Sequence, residues 1–131
     1  MDRSNLDGFQ TQVSELLIRH RSVLDVMSKV QETASRINRS LTKSVTECGC
    51  VEVAAKKQTY DSSKNLEENK SYLDTHFTGP LCEHCRDVVT AELGKNLFYL
   101  AALCNITDIK LEDVLQKEST RLNTLGVFNL T

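Results

Sequence analysis

The residues in this chain best suited to chemistry are four cysteines set in two tight pairs. Cys48-Gly49-Cys50 and Cys82-Glu83-His84-Cys85 make a C-x-C…C-x-x-C pattern across a polar connector. Four thiolates at these spacings suit a tetrahedral zinc ion, because each short pair can span one edge of the tetrahedron. The C-x-x-C pair stands just ahead of an apolar helical segment, whose free N–H groups and dipole favour thiolates over thiols. The C-x-C pair follows the end of another helical segment. A metal held by Cys48, Cys50, Cys82 and Cys85 would therefore clamp the tail of one long helix to the head of the next. Four sulfurs close the coordination shell and leave no position for a catalytic water, so the expected role is structural. The competing readings are inert thiols, disulfides, or a thiol redox or zinc-sensing switch. Met1-Asp2-Arg3-Ser4 carries no apolar signal region, which points to a cytoplasmic setting with reduced thiols. His76 and His84 lie near the cysteines and could substitute as ligands. Cys104, within Tyr99-Leu100-Ala101-Ala102-Leu103-Cys104, reads as a small buried apolar residue.

The elements that must position these thiols are helical. In 131 residues there are one proline, five glycines and no tryptophan, with 40% apolar residues, a composition that favours an all-α fold over a turn-rich β domain. The length fits one domain, 1–131, with a polar insertion at about 48–85. A formal charge of −2 gives no clear nucleic-acid signal, and no apolar run approaches membrane-spanning length.

Ser4 and Asp7 offer a first helix start, with Leu6, Phe9, Val13, Leu16 and Leu17 on one face. Ser22 caps a second helix. There Val23, Met27, Val30, Ala34, Ile37, Leu41 and Val45 follow a near-heptad seam, with the small Ala34 allowing close approach of a partner helix. Residues 56–78 are polar, with a short amphipathic helix expected over 65–76, capped by Ser62 or Ser63, and a firm break at Gly79-Pro80. A third main helix over 83–105 carries Val88, Val89, Leu93, Leu97, Leu100, Ala101 and Cys104 on a wide apolar face. A fourth, over 111–123, points Leu111, Val114, Leu115 and Leu122 inward, and the apolar tail Val127-Phe128-Asn129-Leu130 should dock on the body or on a second subunit. The expected architecture is an antiparallel bundle of about four main helices, with a four-cysteine zinc clamp joining the second and third.

Glu92-Leu93-Gly94-Lys95-Asn96-Leu97-Phe98-Tyr99-Leu100-Ala101-Ala102-Leu103-Cys104, followed by Ile109-Lys110-Leu111-Glu112-Asp113-Val114-Leu115-Gln116-Lys117, resembles the C-terminal half of MazG-like nucleoside triphosphate pyrophosphohydrolases. Lys29-Val30-Gln31-Glu32-Thr33-Ala34-Ser35 is similar in position and phase to the family's E-E-x-x-E helix. The cysteine-rich insertion lies outside the family pattern. The resemblance implies a MazG-like bundle, a homodimer, and two antiparallel motif helices whose adjoining ends would carry the two cysteine pairs. It also implies a cage in which acids one turn apart hold Mg²⁺ against a nucleotide's phosphates. Here that cage is depleted. Gln31 and Ser35 stand where the family has glutamates, Lys95 stands at the family's aspartate, and only Glu32 and Glu92 remain as candidate Mg²⁺ ligands.

The leading expectation is therefore a zinc-clamped, dimeric, non-catalytic binding or regulatory module. The alternative is a Mg²⁺-dependent nucleotide pyrophosphohydrolase using Glu32 and Glu92, and a thiol switch is the weaker third. Lys29, Arg36, Arg39 and Lys43 give the second helix a partly basic face that could contact a nucleotide or another phosphorylated ligand.

Overall fold

Asn5 opens the first helix of the computed structural model, which describes residues 5–125. Its Oδ1 accepts the Gly8 N–H at 2.6 Å, satisfying one of the N–H groups that a helix start leaves unpaired. Helix α1 then runs Leu6–Leu16. The expected cap, Ser4, lies outside the described residues, and Asn5 fills that role. Ser22 caps α2 (Val23–Lys43) as expected, accepting from the Leu24 N–H at 3.3 Å. In the turn between them His20 adopts a left-handed φ of 57°, with Nδ1 3.8 Å from Asp25 Oδ2.

Helix α2 ends in a five-residue π turn, Ser44–Cys48, stopped by Gly49 at φ 79°. That conformation costs an L side chain energy and costs glycine almost none. The chain continues through β1 (Glu52–Val53), α3 (Leu66–Lys70), β2 (Phe77–Thr78), α4 (Glu83–Ile106) and α5 (Leu111–Leu125). The result is an all-α bundle with a small antiparallel ribbon, Glu52 opposite Thr78 and Val53 opposite Phe77. Among the described residues no helix is long and apolar enough to cross a membrane.

Helices α2 and α4 form the spine. They run antiparallel: Val30 lies beside Asn96 in their middle, while Cys48 meets Cys82 at one end. The face that α2 turns to α4 is offset from the expected seam. Val26, Thr33 and Ser44 are buried and Val30, Ile37 and Ser40 half-buried, whereas Val23, Met27, Ala34 and Leu41 are exposed. Both stripes have heptad spacing and share Val30 and Ile37, so periodicity alone could not choose between them. The inward stripe holds the smaller side chains, and Thr33 takes the place expected of Ala34.

The same division appears on α4. Cys85, Val89, Glu92, Asn96, Tyr99 and Leu103 are buried or half-buried, while Leu93, Leu97 and Leu100 stay exposed. The broad apolar face expected for this helix is thus only partly covered within one chain.

Helix α1 packs on α4 to make the core: Val13, Val26, Ala101 and Ala102 are fully buried, with Phe9, Leu17, Val30, Phe98, Leu103 and Leu111 against them. Gln10 ties the start of α5 to α1. Its Nε2 donates to Ile109 O and its Oε1 accepts the Leu111 N–H, both at 2.8 Å. Beyond Leu111, α5 departs from expectation. Val114, Leu115 and Leu122 are exposed, because α5 meets little of the body after its first turn. The tail 127–130 lies outside the described residues.

The polar insertion is organised by one side chain. Asn69 is fully buried; its Oδ1 accepts from the Asp61 N–H and the Tyr72 hydroxyl, and its Nδ2 donates to the carbonyls of Asp61, Lys64 and Asn65. A helix does form there, but it is only the five residues of α3, and its cap is Asn65 in a capping box with Glu68 rather than Ser62 or Ser63.

Candidate metal centre

Two chain reversals bring the thiols together. The π turn widens the last turn of α2 and carries Cys48 and Cys50 over the head of α4. Gly49 N–H and Cys50 Sγ both close back on Ser44 O, at 2.9 and 3.9 Å. On the other side the ribbon returns the chain through Gly79, at φ 93°, whose missing Cβ would stand 3.1 Å from Cys50 O. Glycine is needed there for both the conformation and the clearance. The chain then enters α4 with Cys82 as its N-cap, accepting the Cys85 N–H at 3.4 Å.

The four Sγ atoms of Cys48, Cys50, Cys82 and Cys85 lie within 4.8 Å of one another. A zinc–tetrathiolate tetrahedron with bonds of about 2.3 Å has edges of about 3.8 Å. The Cys48–Cys82 pair, at 3.9 Å, already has that separation, although it joins residues 34 apart in sequence. Burial deepens from Cys48, which is exposed, through Cys50 and Cys82 to the buried Cys85. One side of the cluster faces solvent, which gives an ion a way in. All five cysteines are free thiols, and Cys104 stands apart, half-buried. Neither His76 nor His84 joins the cluster. His84 lines a cleft beside it with Lys43, Ser44 and Glu47.

The electrostatics also suit a cation. The Cys85 N–H at the head of α4 holds the Cys82 thiol down to about 7. The Ser44 hydroxyl favours a Cys85 thiolate, but burial and the three neighbouring thiols outweigh it and push that group up to about 12. Cys48 is also raised: the Cys50 backbone and Cys85 lower it, while its contacts with Cys50 and Cys82 and partial burial raise it further. Cys82 therefore ionises readily, while Cys48 and Cys85 resist. A divalent cation removes that conflict by stabilising thiolates together. These residues fit zinc, which would supply charge compensation and a cross-link between α2 and α4. Ser44 is the participant that sequence reasoning missed. Its only advance signal is its place one turn beyond Ser40 and just ahead of the C-x-C pair.

The two acids expected to hold Mg²⁺ are both engaged by cations. Glu32 accepts from Lys29 at 3.0 Å and Arg36 at 3.3 Å, and these partners, Lys29 foremost, lower its pKa. Glu92 Oε1 lies 3.6 Å from Lys95 Nζ. Its other oxygen, Oε2, is buried without a hydrogen-bond partner. Glu92 borders a cleft of about 390 Å³ with Arg36, Arg39, Ser40, Lys43 and Val88, and Glu32 borders a neighbouring one of about 580 Å³ with Lys29, Arg36 and Lys95. Cations outnumber carboxylates along this groove.

The chain is thus an all-α bundle whose clustered cysteines can chelate a metal ion, and comparison with protein-family models, with curated proteins and with solved structures yields no match to it.

Proposed function

We propose that this chain is a zinc-clamped helical module of the MazG-like kind whose Mg²⁺ cage has degraded, and that it works as a homodimeric, non-catalytic binding or regulatory protein. The carrying observation is the pairing at the old cage: Lys95 on Glu92, and Lys29 with Arg36 on Glu32. Carboxylates already paired with fixed cations make poor Mg²⁺ ligands, and the groove's net positive charge repels the ion. We read the chain as a single domain interrupted by the insertion, in a cytoplasmic setting where four thiols stay reduced for zinc.

The homodimer reading rests on the outer stripes. At 100° per residue, the exposed Val23, Met27 and Leu41 of α2 lie on the opposite side from Lys29, Glu32 and Arg36, and so do Leu93, Leu97 and Leu100 of α4 relative to Lys95. Two antiparallel helices then present one continuous apolar face away from the charged groove. Such a face suits a second copy of the same pair packed as a four-helix bundle.

One feature favours the enzymatic alternative: the unpartnered Glu92 Oε2 is a free oxygen for a metal. Pyrophosphate release from nucleoside triphosphates with Mg²⁺ or Mn²⁺ separates the two. Turnover that vanishes in Glu92→Gln would replace the binding module with a pyrophosphohydrolase.

A further inference from the structure

Besides the thiols themselves, three features carry chemistry: the apolar outer face, already assigned to a second copy; the cleft beside His84, which Cys48 and Cys85 also line; and the cleft between α2 and α4 around Glu92. The third goes furthest. We infer that this cleft binds a small phosphate monoester carrying a free hydroxyl or amine, with the phosphate on Arg39 and Lys43 and the hydroxyl or amine donating to Glu92 Oε2. The inference deepens the non-catalytic reading and rests on it.

The cations argue for the phosphate. Arg36, Arg39 and Lys43 border one cleft of about 390 Å³ against a single carboxylate, Glu92. This occurs in a chain whose net charge is −2, so the concentration of positive charge is local. Arg36 is held by Glu32 at 3.3 Å. Arg39 and Lys43 have no hydrogen-bond or ion-pair partner from their side chains among the described residues. They sit four residues apart, one helical turn, and so project from one face of α2. Two unpaired cations at that spacing can share the oxygens of one phosphate, Arg through its planar fork and Lys as a point charge.

Glu92 argues for the donor. Its side chain is 15% exposed, Lys95 occupies Oε1 from the solvent side, and Oε2 is buried with nothing donating to it. A buried acceptor left without a donor is costly, and a ligand hydroxyl or amine would remove that cost. Methyl phosphate, largely a dianion at neutral pH, offers only oxygens that a carboxylate repels. An ester carrying a neighbouring hydroxyl supplies both halves, and the cleft's volume suits a small polar molecule rather than a polymer. No divalent cation is required, because the side chains themselves supply the positive charge.

The test is calorimetric titration of the zinc-loaded full chain, in buffer free of Mg²⁺, with glycerol 1-phosphate, ethanolamine phosphate, methyl phosphate and inorganic phosphate. The hydroxyl- and amine-bearing esters should bind at least tenfold more tightly than methyl phosphate. The double variant Arg39→Ala/Lys43→Ala should lose binding of all four by tenfold or more. Glu92→Leu should erase the preference for hydroxyl and amine while retaining phosphate. Arg39 and Lys43 are both exposed at the edge of the cleft, so zinc content and helicity should be unchanged in the double variant. Equal affinity for all four compounds overturns the inference. So does absence of binding at millimolar concentration, or tighter binding of a single-stranded oligonucleotide than of any small ester. Pyrophosphate release in a parallel assay would sink the non-catalytic reading separately, since these titrations contain no triphosphate and no Mg²⁺.

Discussion

Asn96 of α4 reaches into α2 and donates two hydrogen bonds from one Nδ2, to Val30 O at 3.1 Å and to Thr33 Oγ1 at 3.0 Å. Thr33 is itself buried and its hydroxyl bonds back to Lys29 O at 2.6 Å. The amide fixes both the rotation and the axial register of the spine, because a slip of either helix would leave Thr33 and Asn96 unmatched. Asn96→Ala should destabilise the fold by about 1–2 kcal/mol. Urea denaturation showing an unchanged midpoint would remove the amide from this role.

Each chain should carry one zinc on Cys48, Cys50, Cys82 and Cys85 when purified under reducing conditions without added metal. Structural zinc is worth on the order of 10–16 kcal/mol in model peptides, so chelation should lower the melting temperature and expose the junction of α2 and α4 to hydrogen exchange. Elemental analysis clearly below one zinc per chain, or a Cys82→Ser variant as stable as the wild type, would count against the clamp.

In the metal-free protein Cys82 should be the first thiol alkylated near pH 7. Its thiolate predominates above about 7 and fades as pH falls through that value, whereas Cys85, pushed up to about 12, stays protonated throughout. Zinc should protect both. Peptide mass spectrometry after brief iodoacetamide treatment gives the order, and prior labelling of Cys85 would contradict it.

Nucleoside triphosphates should be hydrolysed to monophosphates poorly or not at all. The Lys95–Glu92 pair is worth only about 0–1 kcal/mol with an exposed lysine, but it removes a ligand and adds a charge. Gln31→Glu, Ser35→Glu and Lys95→Asp together should raise Mg²⁺ affinity. A triple variant that binds Mg²⁺ no better than the parent would show that this groove never resembled a cage.

The protein should sediment as a dimer at micromolar concentration. Leu97→Glu, placed on the exposed apolar stripe of α4, should give a folded monomer, since the residue is not in the core. A wild-type monomer by analytical ultracentrifugation would leave the outer stripes without the proposed partner.

The cysteine cluster was readable from spacing because metal ligation fixes residue type and separation together, and the position of Cys82 at a helix start follows from the break at Gly79-Pro80. The long helices were readable from periodicity. Their rotation was not. On α2 two heptad stripes compete, and the one that faces α4 wins with Thr33, Ser40 and Ser44, small polar side chains that satisfy their hydroxyls on their own helix. The π turn was hidden for a related reason: it changes hydrogen-bond partners without needing an unusual residue until Gly49. The two-residue strands of the ribbon were too short to show alternation, and Asn69 gives no sign in sequence that its amide would make five hydrogen bonds. The Lys95–Glu92 pair was legible from the i,i+3 spacing.

The ribbon puts Glu52 beside Thr78, so the chain leaves the bundle and comes back to it at one point. Everything between is an excursion closed at its neck. A single protease cut within residues 56–64 would therefore separate the chain into two fragments that stay associated, one bringing α1 and α2, the other α4 and α5. Each fragment would own one cysteine pair, and neither would own a metal site.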